Sequence, residues 1–330
     1  MARVALVALV TRAEVLVFPQ QITMLLSVQE VFEKGLALIG LRNVRRTKKE
    51  TLLVKFRKHY GSPPLVLANM WYDLTVTNIP LAALNDKEKS EKGFEHFMRA
   101  HYFLWTYPRN AEQFANMFGT NERNVQGKPL WNWISKIAAL SQAKIKWPAN
   151  HGSDPDLIYF SVDGTDCKVH EPHNIPDAPF DRDMKSEKFN KAGWKYLVAL
   201  LVHQPQIVDI AGPFKATASE LTIFRDNFKE QLRSIPGAVA SADLGFRTSA
   251  NDECYPTPMF AYPNSLDPRD VRLYKSRVRC RHESLFGRMK NFKILVDTFR
   301  YSKEKHKLAF TSVAVTMQYQ MDNGSPLFAT

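Results

Sequence analysis

Three acidic residues in three unlike settings constrain this chain more than any other feature of its sequence. Asp163 closes an apolar run (LIYFSVDGTD), Asp243 closes a second (AVASADLGF), and Glu283 lies in a strongly basic stretch (SRVRCRHESLFGRMKNFK). They are far apart along the chain, so only a folded core brings them together. Carboxylates are costly to gather, because like charges repel and raise one another's pKa. A fold that gathers three needs a cation beside them, and hard oxygen ligands favour Mg²⁺ or Mn²⁺. Each acid also has an ordinary reading. Asp163 and Asp243 suit turns ahead of Gly164 and Gly245, and Glu283 suits a surface ion pair among arginines. Asp166, the nearest rival acid, reads as a turn-fixing residue.

The surrounding pattern has an α/β rhythm. Strands are expected at 157–162, ending at Asp163, and at 194–203 and 207–211, the latter two joined by a hairpin at Gln204-Pro205. A helix over 219–234 follows, with Ser219 as its cap and Leu221, Phe224 and Leu232 turned inward. A strand over 238–242 ends at Asp243, and 259–262 forms a short last one. The helix carrying Glu283 falls within 268–301, and a closing helix covers 303–321. Open α/β sheets place functional carboxylates at strand ends. The connection 164–192 is too polar for core and reads as a flap over a ligand or a solvated loop.

Helical spacing sorts the third acidic segment into two faces. At about 100° per residue, Arg279, Glu283, Gly287 and Lys290 share one face. Val278, Leu285, Met289, Phe292, Val296 and Phe299 form an apolar face that packs inward. Gly287 leaves room for a backbone or phosphate beside the acid.

The stretches VDGTDCKVHEP (162–172), KFNKAGWKYLVALLV (188–202), DIAGPF (209–214), ADLGF (242–246), CRHESLFGRMKNFK (280–293) and QYQMDNGSPLF (318–328) occur in a fixed order. In that order they resemble the PIF/Harbinger-type transposases, within the DDE superfamily endonucleases, over roughly residues 90 to 330. Arg279, Glu283 and Lys290 also look like the Arg-Glu-Lys signature of related insertion-sequence transposases, with Ser276 where that signature begins with Tyr. Leu244, Phe246 and the Tyr196-Leu197 pair are further departures from the family pattern, and none removes an acid of the triad.

The resemblance implies an α/β, RNase H-like catalytic domain over 151–330. Residues 41–150 would form a helical region before it, and residues 1–40 an N-terminal extension of undefined role. It implies a metal-dependent DNA endonuclease or transposase with Asp163, Asp243 and Glu283 as catalytic metal ligands. Asp163 would bridge two Mg²⁺ or Mn²⁺ ions, which in such chemistry sit about 3.5–4 Å apart. Arg279, Arg281, Arg288 and Lys290 would hold DNA phosphates, Arg as a fork and Lys as a point charge. The expected partners are DNA, an accessory Myb/SANT-like DNA-binding protein and further copies of the chain, with no membrane. The expected location is the nucleus, with the cytoplasm as the alternative. Two other readings stand beside it: a domesticated host nuclease, and a DNA-binding protein whose site is inactive.

Composition agrees. The chain has 330 residues, 45% of them hydrophobic, enough for a full core, and a formal charge of +12 suited to a polyanionic partner. The charge is concentrated: residues 42–58 hold eight Lys/Arg against one acid, and 272–307 hold twelve against three. Such runs are also ordinary solvated helix faces. Cys167, Cys254 and Cys280 have no metal-ligand spacing and read as reduced thiols of a cytosolic or nuclear protein. The apolar run at 4–10 is too short and too interrupted by charge for a membrane span, and lacks a signal-cleavage pattern.

Upstream, helices are expected at 48–60, 65–74, 94–105, 110–118 and 129–140, with Asn110 as a cap and Pro129 in a first turn. Ala115, Gly119 and Val125 have helix-turn-helix spacing, although Gly127 and Pro129 interrupt a recognition helix. The region either touches DNA or only packs and dimerises. Trp131 and Trp133 read as core, with base stacking as the alternative.

Overall fold

The structure is a computed structural model that describes residues 25–41, 47–76, 79–122, 127–148, 158–170, 181–235, 239–243, 246, 260–261 and 265–328. It is an α/β fold with a six-stranded mixed sheet, preceded by a helical region.

The helical region begins with α1 (Val28–Leu38), closed by a capping box in which Ser27 and Glu30 satisfy each other's backbone N–H groups. Two helices follow, α2 (Lys49–Tyr60) and α3 (Pro64–Val76), joined at Gly61, whose φ of 70° permits the sharp reversal. Next come α4 (Glu91–Thr106) and α5 (Ala111–Met117), the latter capped by Asn110 as its sequence predicts. They are followed by α6 (Lys128–Ala139) and a short α7 (Ser141–Lys144). Trp133 stacks on Trp71, and Trp131 packs edge-on against Phe299 and Tyr301. Both indoles are therefore core, not base-stacking platforms. Ala115 lies in α5 and Gly119 in the turn after it, whereas Val125 falls outside the described residues, as does the run 4–10.

The sheet comprises β1 (Ile158–Lys168), β2 (Lys185–Ser186), β3 (Lys191–Leu201), β4 (Ile207–Lys215), β5 (Val239–Ser241) and β6 (Phe260–Ala261). Its order is β2-β3-β1-β5-β6, with β4 also on β3; β1, β3 and β4 pair antiparallel, while β1, β5 and β6 pair parallel. Two short helices, α8 (Glu220–Asn227) and α9 (Lys229–Arg233), lie between β4 and β5 where one continuous helix over 219–234 was expected. After β6 come α10 (Arg269–Met289), α11 (Lys293–Val296) and α12 (Lys303–Asp322).

Alternation along the central strands separates two cores. Phe160, Val162, Leu197, Ala199, Ala240 and Ala242 pack with Phe224 of α8, Leu232 of α9 and Phe228 between the two helices. On the opposite face, Cys167, Tyr196, Val198 and Leu200 join α10, α12 and the helical region in one continuous cluster. α12 is buried nearly all round, and its Gln318 accepts from the Ile207 N–H and donates to the Pro205 carbonyl, pinning the β3–β4 hairpin. The helical region, from α1 onward, thus shares its core with one face of the sheet.

Three sequence expectations are corrected here. β1 does not stop at Asp163 but continues to Lys168, because β3 pairs with it along that whole length. Asp166 is accordingly a buried strand residue that accepts a hydrogen bond from Ser186 of β2, not a turn former. The connection 164–192 is likewise partly structural: its first residues are strand and its last form β2 and the start of β3, while 171–180 fall outside the described residues.

Candidate metal centre

Ser161 of β1 is paired in parallel with Ser241 of β5, the last pair before the two strands part. Asp163 and Asp243 each lie two positions further on, so strand alternation points both toward the same face of the sheet. That face is covered by α10. Asp163, Asp243 and Glu283 line one cleft of about 100 Å³, together with Ser161, Ser241, Arg279 and His282. The three acids expected from sequence therefore line one cleft, but exposed Glu283 falls outside the group of acids whose ligand atoms lie within 4.8 Å of one another.

Sequence reasoning missed a fourth carboxylate. Glu220, in the first turn of α8, has a ligand atom that lies with those of Asp163 and Asp243 within 4.8 Å of one another. It arrives from the opposite face of the sheet, and Gly164 explains how. A Cβ at Gly164 would collide with the Glu220 carboxylate, so the missing side chain is what admits that group to the cluster. A glycine directly after an acid, read with an acid at a helix start, was the available signal. It was masked because first-turn acids commonly serve the helix dipole.

The electrostatics are strained in the way a cation would relieve. Burial, opposed by the Gly164 N–H and by Lys188 and reinforced by Asp243, raises the pKa of Asp163. Glu220 is raised by burial too, with Asp163 and Asp243 adding to the shift and Lys188 and Lys195 opposing it. Both lysines are anchored nearby, Lys188 donating to the Gly164 carbonyl at 3.2 Å and Lys195 to the Ala218 carbonyl at 2.9 Å. His282, next to Glu283, is 1% exposed, and burial pushes its pKa down to about 3, so it is neutral. Its Nδ1 lies 2.9 Å from the Ser161 hydroxyl, while its Nε2 has no hydrogen-bond partner among the described residues.

The basic residues of α10 divide between two tasks. Arg279 is exposed and lines the acidic cleft, and Lys290 is exposed at the helix C-terminus. Arg281 is 3% exposed and donates to the Gln204 carbonyl at 3.1 Å. Arg288 donates to the carbonyls of Ser325 and Pro326 at 2.6 and 3.0 Å. Unlike Arg279, both therefore have guanidinium nitrogens on backbone carbonyls, Arg281 through one and Arg288 through two, and Arg281 is turned away from solvent. The apolar face is corrected in extent. Val278, Leu285 and Met289 are buried on α10, but the helix ends at Met289, so Phe292 and Phe299 are buried from the segments after it and Val296 is only half-buried.

An oxygen-rich set of this kind suits a hard divalent cation. Three carboxylates converge within ligand distance, two of them destabilised in their charged form by burial and mutual repulsion. Among the described residues no helix is long and apolar enough to cross a membrane. Comparison with family models, with curated proteins and with solved structures returns no match for this chain.

Proposed function

We propose that this protein is a metal-dependent DNA endonuclease or transposase of the PIF/Harbinger type, built on an RNase H-like catalytic core. The observation that carries this reading is the clustering of Asp163, Glu220 and Asp243 within 4.8 Å of one another, with exposed Glu283 and Arg279 on the wall of the cleft they share. Asp163 and Asp243 belong both to the cluster with Glu220 and to the cleft with Glu283. That sharing leaves two sides on which a divalent cation can be held.

Mg²⁺ or Mn²⁺ bound there would lower the pKa of a water or DNA 3′-hydroxyl and neutralise the leaving oxygen of an in-line displacement. The chain's own residues supply the rest. Asp163 and Asp243 present oxygens side by side from adjacent strands, and Glu220 and Glu283 flank them. Arg279 offers a fork of donors to a phosphate's non-bridging oxygens. Lys188 and Lys195 limit the repulsion among the carboxylates before a cation arrives. Neutral His282 holds Ser161 at the floor of the cleft.

The test is strand nicking of supercoiled plasmid DNA with Mg²⁺, with Mn²⁺ and with EDTA. Nicking that needs the metal and is lost in Asp163→Asn supports the reading. Metal-independent nicking, or nicking retained in that variant, refutes it, as does DNA binding without any nicking.

A further inference from the structure

The acidic cleft is small. At about 100 Å³ it is less than a quarter the size of the cleft beside it. Most of any chain that presents a phosphate to these acids therefore rests outside it. A second, larger cleft of about 450 Å³ adjoins it and shares Arg279 and Glu283 as lining residues. Its other described walls are Ser265, Arg272, Lys275, Ser276 and Cys280.

All of these except Ser265 lie on α10, and their order is informative. Arg272, Ser276, Arg279 and Glu283 recur at helical spacing, forming one exposed stripe that spans about 16 Å at 1.5 Å per residue. The stripe continues through Gly287, where an added Cβ would meet no atom within 4 Å, to exposed Lys290. Among the described residues, Arg272 and Arg279 belong to no ion pair, whereas Lys275 is held by Asp267 at 2.7 Å. Among the cleft's described walls the one carboxylate is Glu283, at the end where it meets the acidic site. Exposed guanidinium groups along a helix, with Arg279 already within electrostatic reach of Asp163 at the acidic end, match a polyanion that runs along the helix and is met by a cation only at its end.

We propose that the outer stripe of α10, centred on Arg272, Ser276 and Arg279, is the seat for the phosphodiester backbone of a nucleic acid strand leading into the acidic cleft. This rests on the nuclease reading for what happens at the cleft, but binding to the stripe requires no cation. Arg281 and Arg288, on the same helix, are excluded by their backbone contacts.

Cys280 provides a direct readout, since it is an exposed thiol in the wall of the cleft while Cys167 is buried. In a Cys254→Ser background, alkylation of Cys280 is followed by mass spectrometry in EDTA, with and without a 30-nucleotide DNA. DNA should slow alkylation at least tenfold. Arg272→Glu should abolish this protection, weaken DNA binding on the order of tenfold and reduce the slope of log affinity against log salt by roughly one. Arg288→Gln should leave that slope unchanged. Unprotected Cys280, an unchanged slope in Arg272→Glu, or protection by pyrophosphate or a mononucleotide but not by the oligonucleotide would each overturn the proposal. Protection by DNA in a protein that never nicks would sustain the seat and sink the nuclease. Metal-dependent nicking that Arg272→Glu leaves untouched, with Cys280 unprotected, would do the reverse.

Discussion

Asp163 and Asp243 stand two residues beyond the same paired position, Ser161 opposite Ser241, on adjacent parallel strands. Because side chains alternate along a strand, this register alone brings the two carboxylates to one face, side by side. A shift of one residue in either strand would send its acid into the apolar core around Phe224. The site is thus tied to strand pairing, and the proximity of the acids is held at a cost in charge repulsion.

That cost gives the first prediction. Asp163 and Glu220 have pKa values raised by burial, so the folded protein binds their protons more tightly than the unfolded chain does. Their contribution to stability is present at low pH and is lost as pH rises through the folded values. Without metal, Asp163→Asn should therefore raise the melting temperature at pH 7, on the order of 1–2 °C. Millimolar Mn²⁺ should stabilise the wild type but not this variant. Scanning calorimetry with and without EDTA checks both, and a destabilised Asp163→Asn protein would contradict the electrostatic account.

Gly164→Ala probes how Glu220 reaches the cluster. The new methyl group would meet the end of a flexible side chain, not backbone, so the fold should survive. Glu220 should be pushed out, and divalent-cation stabilisation should weaken at least tenfold in apparent affinity. Wild-type cation affinity in Gly164→Ala would show that Glu220 takes no part.

Two arginines two residues apart should fail in different ways. Arg281→Ala removes a buried donor to the Gln204 carbonyl and should cost about 1.5–3 kcal/mol of stability, as expected for a hydrogen bond to a charged group. Arg279→Ala should leave stability within about 0.5 kcal/mol, as surface substitutions usually do, and lower DNA affinity. Urea unfolding and fluorescence anisotropy separate the two, and equal stability losses would undo the division of α10 into an inner and an outer face.

Buried histidines set the acid limit of the fold. His101, His282 and His306 are all held neutral by burial, with pKa values pushed down to about 3. The unfolded chain therefore takes up their protons first as pH falls below about 6.5, and stability drops with pH from there toward 3. Three such groups give a slope approaching about 4 kcal/mol per pH unit. His101, whose two ring nitrogens have no hydrogen-bond partner among the described residues, is the clean test: His101→Leu should reduce the slope by about one third. An unchanged slope would mean that His101 is protonated in the folded protein.

Much of this arrangement was legible in the sequence, for identifiable reasons. Helix caps such as Asn110, the hairpin at Gln204-Pro205 and the inward Trp131 follow local rules that the structure obeys. The resemblance pointed to Asp163, Asp243 and Glu283 together, and all three line one cleft, although Glu283 stands outside the close acidic group. What escaped was whatever depends on neighbours across the sheet. β1 outran its apolar run because β3 offered partners as far as Lys168. Glu220 was hidden because its partner is an absence, the missing side chain of Gly164. Arg281 looked like its exposed neighbours by composition, and only the position of Gln204 turns it inward.

The most direct measurement is the binding of Mn²⁺ to the full chain without DNA, by electron paramagnetic resonance titration, in the wild type and in Asp163→Asn. The account predicts at least one Mn²⁺ held per wild-type chain and at least a tenfold loss of affinity in the variant. Equal binding by both proteins, or none by either, would contradict it.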